Sequence, residues 1–271
     1  MGYFYCFSSL KWSSAVCLLV VSLLTSCGHL DGSRAVAPDR MVGIFGGMGP
    51  EATANLYGEI VRLTPAKKDQ DHLPTLIYSR PQVPDRSTCI KSGSREIVPY
   101  LVEAVQRLER GGASFIVIPC NTVHYYYADM QKAVSIPVLN MIEETVDAVK
   151  REHPTARTVG LLASNGTVQS RLYEDAFARR GLKVILPTEH VQQCCVMDAV
   201  YSIKSGGSKA EQARLLKRAG DELVTRGADV LVLGCTEIPL AFDSKRARAP
   251  VINATQVLAL AAIREYQKAG R

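Results

Sequence analysis

Gly112-Ala113-Ser114-Phe115-Ile116-Val117-Ile118-Pro119-Cys120-Asn121-Thr122 reads as a glycine turn, a short apolar strand and a polar loop entered through a cysteine. The same pattern returns as Gly227-Ala228-Asp229-Val230-Leu231-Val232-Leu233-Gly234-Cys235-Thr236-Glu237. A run that is apolar at successive positions, rather than alternating, is buried on both faces, as strands of parallel sheets are. A second pair frames the first: Met41-Val42-Gly43-Ile44-Phe45-Gly46-Gly47-Met48-Gly49 and Thr158-Val159-Gly160-Leu161-Leu162-Ala163-Ser164-Asn165-Gly166. Val42 and Val159 are 117 residues apart, and Cys120 and Cys235 are 115 apart. Two pairs at nearly one spacing predict duplicated halves.

The intervening segments are helical. Ile97, Leu101, Ala104, Val105 and Leu108 fall on one helix face that stops at Gly111-Gly112. Leu216, Ala219, Leu223 and Val224 repeat that face before Gly227. Pro50 and Glu51, then Ala52, Leu56, Ile60 and Leu63, predict a helix opened by proline at its first position. Helices alternating with short strands give parallel sheets with right-handed crossovers. The fold class expected is therefore α/β. Two similar lobes, each a small parallel sheet flanked by helices, are related by pseudo-two-fold symmetry with the active site in the cleft between them. The expected boundaries are 41–140 for the first lobe, completed by 250–271, and 141–249 for the second.

The 271 residues are 47% hydrophobic and 21% charged with net charge +6, which excludes collagen-like, disordered and multi-span membrane chains. The densest basic run, Lys245-Arg246-Ala247-Arg248, is short and reads as a solvated loop, so no nucleic-acid partner is expected. Eight cysteines would mark a disulfide framework in a short secreted chain, not in one of this length. Ala15 to Leu24 is apolar but for Ser22, too short for the ~20 residues of a spanning helix and right for a signal-peptide core. Leu24-Thr25-Ser26-Cys27 resembles the lipobox of bacterial lipoproteins, whose cysteine is acylated and becomes the first mature residue. Residues 1–27 are thus expected to be a signal peptide and 28–40 a tether. The folded part would face the periplasm or cell exterior, held to the membrane by lipid on Cys27; plain secretory cleavage into the periplasm and an uncleaved anchor are the alternatives.

In parallel α/β sheets the ligand lies beyond the carboxyl ends of the strands. Cys120 and Cys235 both stand there, and a symmetric duplication brings the two thiols to one cleft. Such a pair suits inversion of a carbon centre, in which one base removes a proton from one face and an acid returns one to the other. A thiol, with an ordinary pKa of ~8.5, is readily poised for either role. The carbanion needs oriented donors for its carboxylate, and Asn121, Thr122 and Thr236 adjoin the cysteines.

At these residues the chain resembles a known family. Gly46-Gly47-Met48-Gly49-Pro50-Glu51-Ala52-Thr53, Asp71-His72-Leu73-Pro74, Pro84-Asp85-Arg86, Cys120-Asn121-Thr122-Val123-His124 and Gly234-Cys235-Thr236-Glu237-Ile238-Pro239 are similar to motifs of the aspartate racemase branch of the aspartate/glutamate racemases. Glutamate racemases carry Asp-Ser-Gly at the first place and histidine where Glu237 stands. The resemblance implies a cofactor-independent, two-base amino-acid racemase, commonly a homodimer, interconverting L- and D-aspartate, with glutamate as an alternative. It makes Cys120 and Cys235 the catalytic pair and assigns Asn121, Thr122, Thr167 and Thr236 to the α-carboxylate and amino group. Met48 joins the substrate contacts. Arg86 and Lys204 would take the side-chain carboxylate, a charge arrangement that suits a dicarboxylic amino acid.

Other signals are weaker. Cys120 and His124 have helical spacing, but no second ligand cluster accompanies them, so no metal is expected; His124 more readily positions the first-lobe helix. Glu237 reads equally as an acceptor near the amino group or a helix-start carboxylate. Cys194-Cys195 suits packing better than a redox site, and Tyr125-Tyr126-Tyr127 suits a cleft wall, core or dimer face. Two other functions share these features. Maleate isomerases and hydantoin racemases are neighbouring thiol-pair enzymes. A lipid-anchored amino-acid-binding protein would also have a lipobox and two lobes, but would need no thiol on each.

Overall fold

The computed structural model describes residues 40–268. Cys27 and the segments expected to be a signal peptide and, for the most part, a tether lie outside the described residues. In chain order the elements are β1 (Val42–Gly46), α1 (Pro50–Leu63), β2 (Thr75–Ser79), α2 (Arg86–Ser92), α3 (Val98–Arg110), β3 (Phe115–Val117), α4 (Tyr127–Lys132) and α5 (Met141–Glu152). There follow β4 (Thr158–Ala163), α6 (Asn165–Gln169), α7 (Leu172–Ala178), β5 (Lys183–Ile185), α8 (Asp198–Lys204), α9 (Lys209–Thr225), β6 (Val230–Gly234), β7 (Val251–Asn253) and α10 (Ala254–Gln267). A π-helical turn, Gln192–Met197, leads into α8. No helix among the described residues is long and apolar enough to cross a membrane.

Two wholly parallel sheets result, ordered β2-β1-β3 and β5-β4-β6-β7. Strands β1, β3 and β6 are buried at every position, as sheets covered by helices on both faces require. An isolated parallel bridge from Ile116 to Val138 stands where β7 stands in the second sheet, so the duplicated order extends to the last strand position. Both helices that follow are capped alike: Asn140 accepts from the amides of Ile142 and Glu143, and Asn253 from those of Thr255 and Gln256.

The repeated glycines have a packing cause. A Cβ on Gly43 would lie 2.8 Å from Ala113 Cβ, and one on Gly160 would lie 2.9 Å from Ala228 Cβ. In each half, the turn after the long helix presses on the first strand at the same place. Gly47 has another cause: its φ is +98°, and a side chain there would strike the Arg80 backbone at 2.4 Å. That turn sends the chain from β1 into α1.

One boundary is corrected. Residues 250–271 do not all complete the first lobe, because Val251–Asn253 pair with β6 in the second sheet. The helix that follows crosses back: Ala254, Leu258, Ala259, Ala262 and Ile263 of α10 share a core with Val42, Ile44, Leu56 and Ile60. A strand must satisfy its backbone on a neighbouring strand, whereas a helix is self-satisfied and follows its apolar face.

Candidate active site

β3 and β6 release Cys120 and Cys235 toward one cavity, lined also by Met48, Asp85, Arg86, Ser87, Asn121, Thr122, Ser164, Met197, Val200, Tyr201, Lys204, Thr236 and Glu237. Both cysteines are nearly buried, at 5% and 7% exposure. The cavity adjoins a second space of about 220 Å³, beyond Met48, Arg86, Lys204 and Glu237.

Cys120 is held by its backbone. His124 Nε2 accepts from the Met141 amide at 3.1 Å, so the ring proton sits on Nδ1 and is donated to the Cys120 carbonyl at 2.8 Å. Burial pulls the His124 pKa below its ordinary value and keeps the ring neutral. With both nitrogens engaged, His124 ties the Cys120 loop to the start of α5 and does not reach the cavity. Among the described residues no group of three His, Cys, Asp or Glu side chains is gathered as metal ligands.

Next to Cys120, Asn121 Oδ1 accepts from the buried Tyr173 hydroxyl at 2.6 Å, which leaves its Nδ2 buried without a partner. Burial also drives the Tyr173 pKa upward, so its hydroxyl remains a donor. Thr122, Ser164 and Thr167 form a buried hydroxyl cluster, with Thr122 Oγ1 2.9 Å from each of the other two oxygens. Thr167 is a correction to the expected contacts: it is fully buried behind Thr122 and Ser164 and lies outside the cavity wall.

Cys235 lies in a charged setting. Its thiol donates to Glu237 Oε2 at 3.1 Å. Glu237 Oε1 lies 2.8 Å from Lys204 Nζ, a close ion pair set off the axis of a good hydrogen bond. Lys204 also donates to the Met48 carbonyl across the cleft at 3.3 Å, and Thr236 Oγ1 donates to the Pro119 carbonyl at 3.2 Å. Burial, then the Glu237 charge, push the Cys235 thiol well above its ordinary value, with Lys204 opposing. Burial pulls Lys204 down, but Glu237 and the two thiols outweigh it and leave its pKa raised.

Arg86 begins α2, and Asp85 caps that helix by accepting from the Thr88 amide at 2.8 Å. The guanidinium donates through Nη1 to the carbonyls of Val83 and Pro84. It forms no ion pair among the described residues, and it lines both spaces.

The structure thus brings Met48, Arg86, Cys120, Asn121, Thr122, Lys204, Cys235, Thr236 and Glu237 to one cavity. Thr167 and His124 stand behind its wall. Sequence reading missed Ser164, Tyr173 and Tyr201. Ser164 had a usable signal, since it follows β4 where Gly47 follows β1 in the other half; Tyr173 and Tyr201 had none. Of the three tyrosines in a row, Tyr126 and Tyr127 bond to the Ser94 and Val138 carbonyls, Tyr125 is exposed, and none reaches the cavity. Cys194 and Cys195 lie in the π-turn, their sulfurs 3.3 Å apart.

Comparison with known proteins agrees with this architecture. The chain is 29% identical over 232 residues to the broad specificity amino-acid racemase RacX of Bacillus subtilis (strain 168), a match covering 83% of this chain and 98% of that one. Picrophilus torridus aspartate racemase superposes with a TM-score of 0.75 at 28% identity, covering 84% of this chain and 94% of the other. Glutamate racemase isoform RacE1 of Bacillus anthracis superposes with a TM-score of 0.64 at 22% identity, covering 86% and 83%, which is a likeness of fold alone. Residues 45–262 match the family described as Asp/Glu/Hydantoin racemase. On that match, which spans both sheets and both cysteine loops, the chain belongs to the Asp/Glu/hydantoin racemase family.

Proposed function

We propose that this chain is an aspartate racemase that inverts its substrate with two cysteine bases and no cofactor. The observation that carries the reading is the meeting of Cys120 and Cys235, from equivalent strand ends of two sheets, in a cavity whose Arg86 has no carboxylate partner among the described residues. One thiolate removes the α-proton, and the opposed thiol protonates the carbanion on its other face. The unpartnered Asn121 Nδ2, with Thr122 and Thr236, holds the α-carboxylate as charge spreads onto it. Thr167 acts through Thr122. Arg86 receives the side-chain carboxylate, and Lys204 contributes what charge Glu237 leaves it.

A wider substrate range is a second reading. It is favoured by the adjoining space of about 220 Å³ beyond Arg86, which an aspartate side chain held at Arg86 would leave unfilled. The test is loss of optical activity from L-aspartate, L-glutamate and a set of neutral amino acids, under reducing conditions. Cys120→Ala and Cys235→Ala should each fold and lose racemisation, because one base cannot complete an inversion. Either variant retains the means to exchange the α-proton of one enantiomer with deuterium from solvent. Full racemisation by either would overturn the two-thiol reaction, whereas binding without racemisation by the wild-type protein would favour the amino-acid-binding alternative.

A further inference from the structure

Cys120 and Cys235 occupy equivalent places in the repeat, yet their surroundings differ. Among the described residues the Cys120 thiol makes no hydrogen bond, whereas the Cys235 thiol donates to Glu237. Glu237 is itself 3% exposed, and its second oxygen faces Lys204, which reaches the Met48 carbonyl on the opposite lobe. A thiol, a carboxylate and an ammonium therefore run in line from a reacting atom to the far side of the cleft.

Building on the two-cysteine reaction above, we propose that Glu237 is the proton partner of Cys235, taking its thiol proton whenever Cys235 must act as base. In that step the S–H bond breaks and an O–H bond forms on Glu237 Oε2. Sulfur keeps the electron pair as thiolate, and no electrons are exchanged. Cys235 then takes the substrate α-proton and Cys120 donates its own to the other face. At that point Glu237 is still protonated and Cys120 is the thiolate. The Glu237 proton returns to Cys120 through solvent in the open cavity, which restores the starting state. The reverse reaction begins from the second state, as microscopic reversibility requires.

Charge explains why a local acceptor is needed. Giving the Cys235 proton to bulk water would leave a second buried anion beside the Glu237 carboxylate. Passing it to Glu237 keeps a single negative charge in the cluster, next to the Lys204 ammonium. Other groups also face the pair. Tyr201 and Lys204 come from α8, and Tyr173 from α7. Cys120 comes from the loop after β3, Asp85 and Arg86 from the start of α2, and Glu51 from the start of α1. Of all these, only Glu237 accepts the hydrogen bond of the Cys235 thiol. Glu237 is thus a positioning residue acting through Cys235.

The test compares wild type, Glu237→Gln, Glu237→Asp and Cys235→Ala for racemisation across pH, with thermal melting to confirm folding. L- and D-aspartate have equal energy, so kcat/KM is the same in both directions for any variant, and the pH profile is the informative readout. Glu237→Gln should lose roughly 10²-fold near neutrality, the worth of a placed acid–base group. Its activity should climb with hydroxide along an alkaline limb absent from wild type, and Glu237→Asp should recover part of the loss. If Glu237→Gln fails to fold, an alkaline-shifted limb in Glu237→Asp supports the proposal and a wild-type profile overturns it. Glu237→Gln activity within about threefold of wild type with a parallel profile, while Cys235→Ala is inactive, overturns the role of Glu237 and leaves the thiol pair standing. Racemisation by Cys235→Ala would overturn both.

Discussion

Arg86 and Lys204 are the two cations on the cavity wall, and they are not equivalent. Lys204 spends its charge on Glu237, while Arg86 lends one nitrogen to backbone carbonyls and keeps the rest of its fork. Arg86→Leu is therefore expected to cut kcat/KM for aspartate by the equivalent of about 2–5 kcal/mol, the loss when the partner of a desolvated charge is removed. A neutral amino acid that is turned over should be affected far less; equal losses for both would remove Arg86 from side-chain selection. His124 predicts a pH effect on stability. Its pKa is held below the ordinary value of 6.5 by burial, so below that value the unfolded chain binds a proton that the folded one refuses. The contribution is complete above about pH 6.5 and is lost as pH falls toward the depressed folded value. Urea unfolding at about pH 7 and about pH 5 should show this drop in wild type and a shallower one in His124→Gln. Parallel drops would mean that other groups govern acid stability. The cysteines were legible at this scale because each is tied to a strand end by sequence spacing. Tyr173 was not, since its bond to Asn121 joins elements 52 residues apart.

Among the elements, the duplicated contact between first strand and helix turn makes a paired prediction. A Cβ on Gly160 would meet Leu231 Cδ2 at 2.8 Å, Ala228 Cβ at 2.9 Å and Leu223 Cβ at 3.0 Å, in a core with no slack. Gly160→Ala should destabilise the protein by about 1–3 kcal/mol through overpacking. Gly58 lies within α1, and a Cβ there has nothing within 4 Å. Gly58→Ala should stabilise by about 0.5–1 kcal/mol, because alanine loses less backbone entropy in a helix. Denaturant midpoints decide both; equal shifts of one sign would show that packing does not distinguish the two sites. Helices α1, α3 and α9 were readable from their apolar stripes, and the main strands from their unbroken apolar runs. The three residues of β7 were too few to carry a pattern, and only pairing with β6 assigns them to a sheet.

For the whole molecule, the apolar segment 15–24 ending at Cys27 predicts a lipid anchor on that cysteine. Cys27→Ala should release the protein from the membrane fraction or block its processing; unchanged fractionation and migration would sink the lipoprotein reading. The sequence by itself determined the α/β class, the duplication and the placement of one cysteine after a strand in each half. These follow from periodicity and spacing, which are properties of the chain alone. Only the tertiary structure decided that Lys204 is engaged by Glu237, that Thr167 stands behind Thr122, and that α10 crosses back to the first core. Each depends on which side chains from distant segments share a low-dielectric space, where pairing and burial set what a charge or hydroxyl has left to offer a ligand.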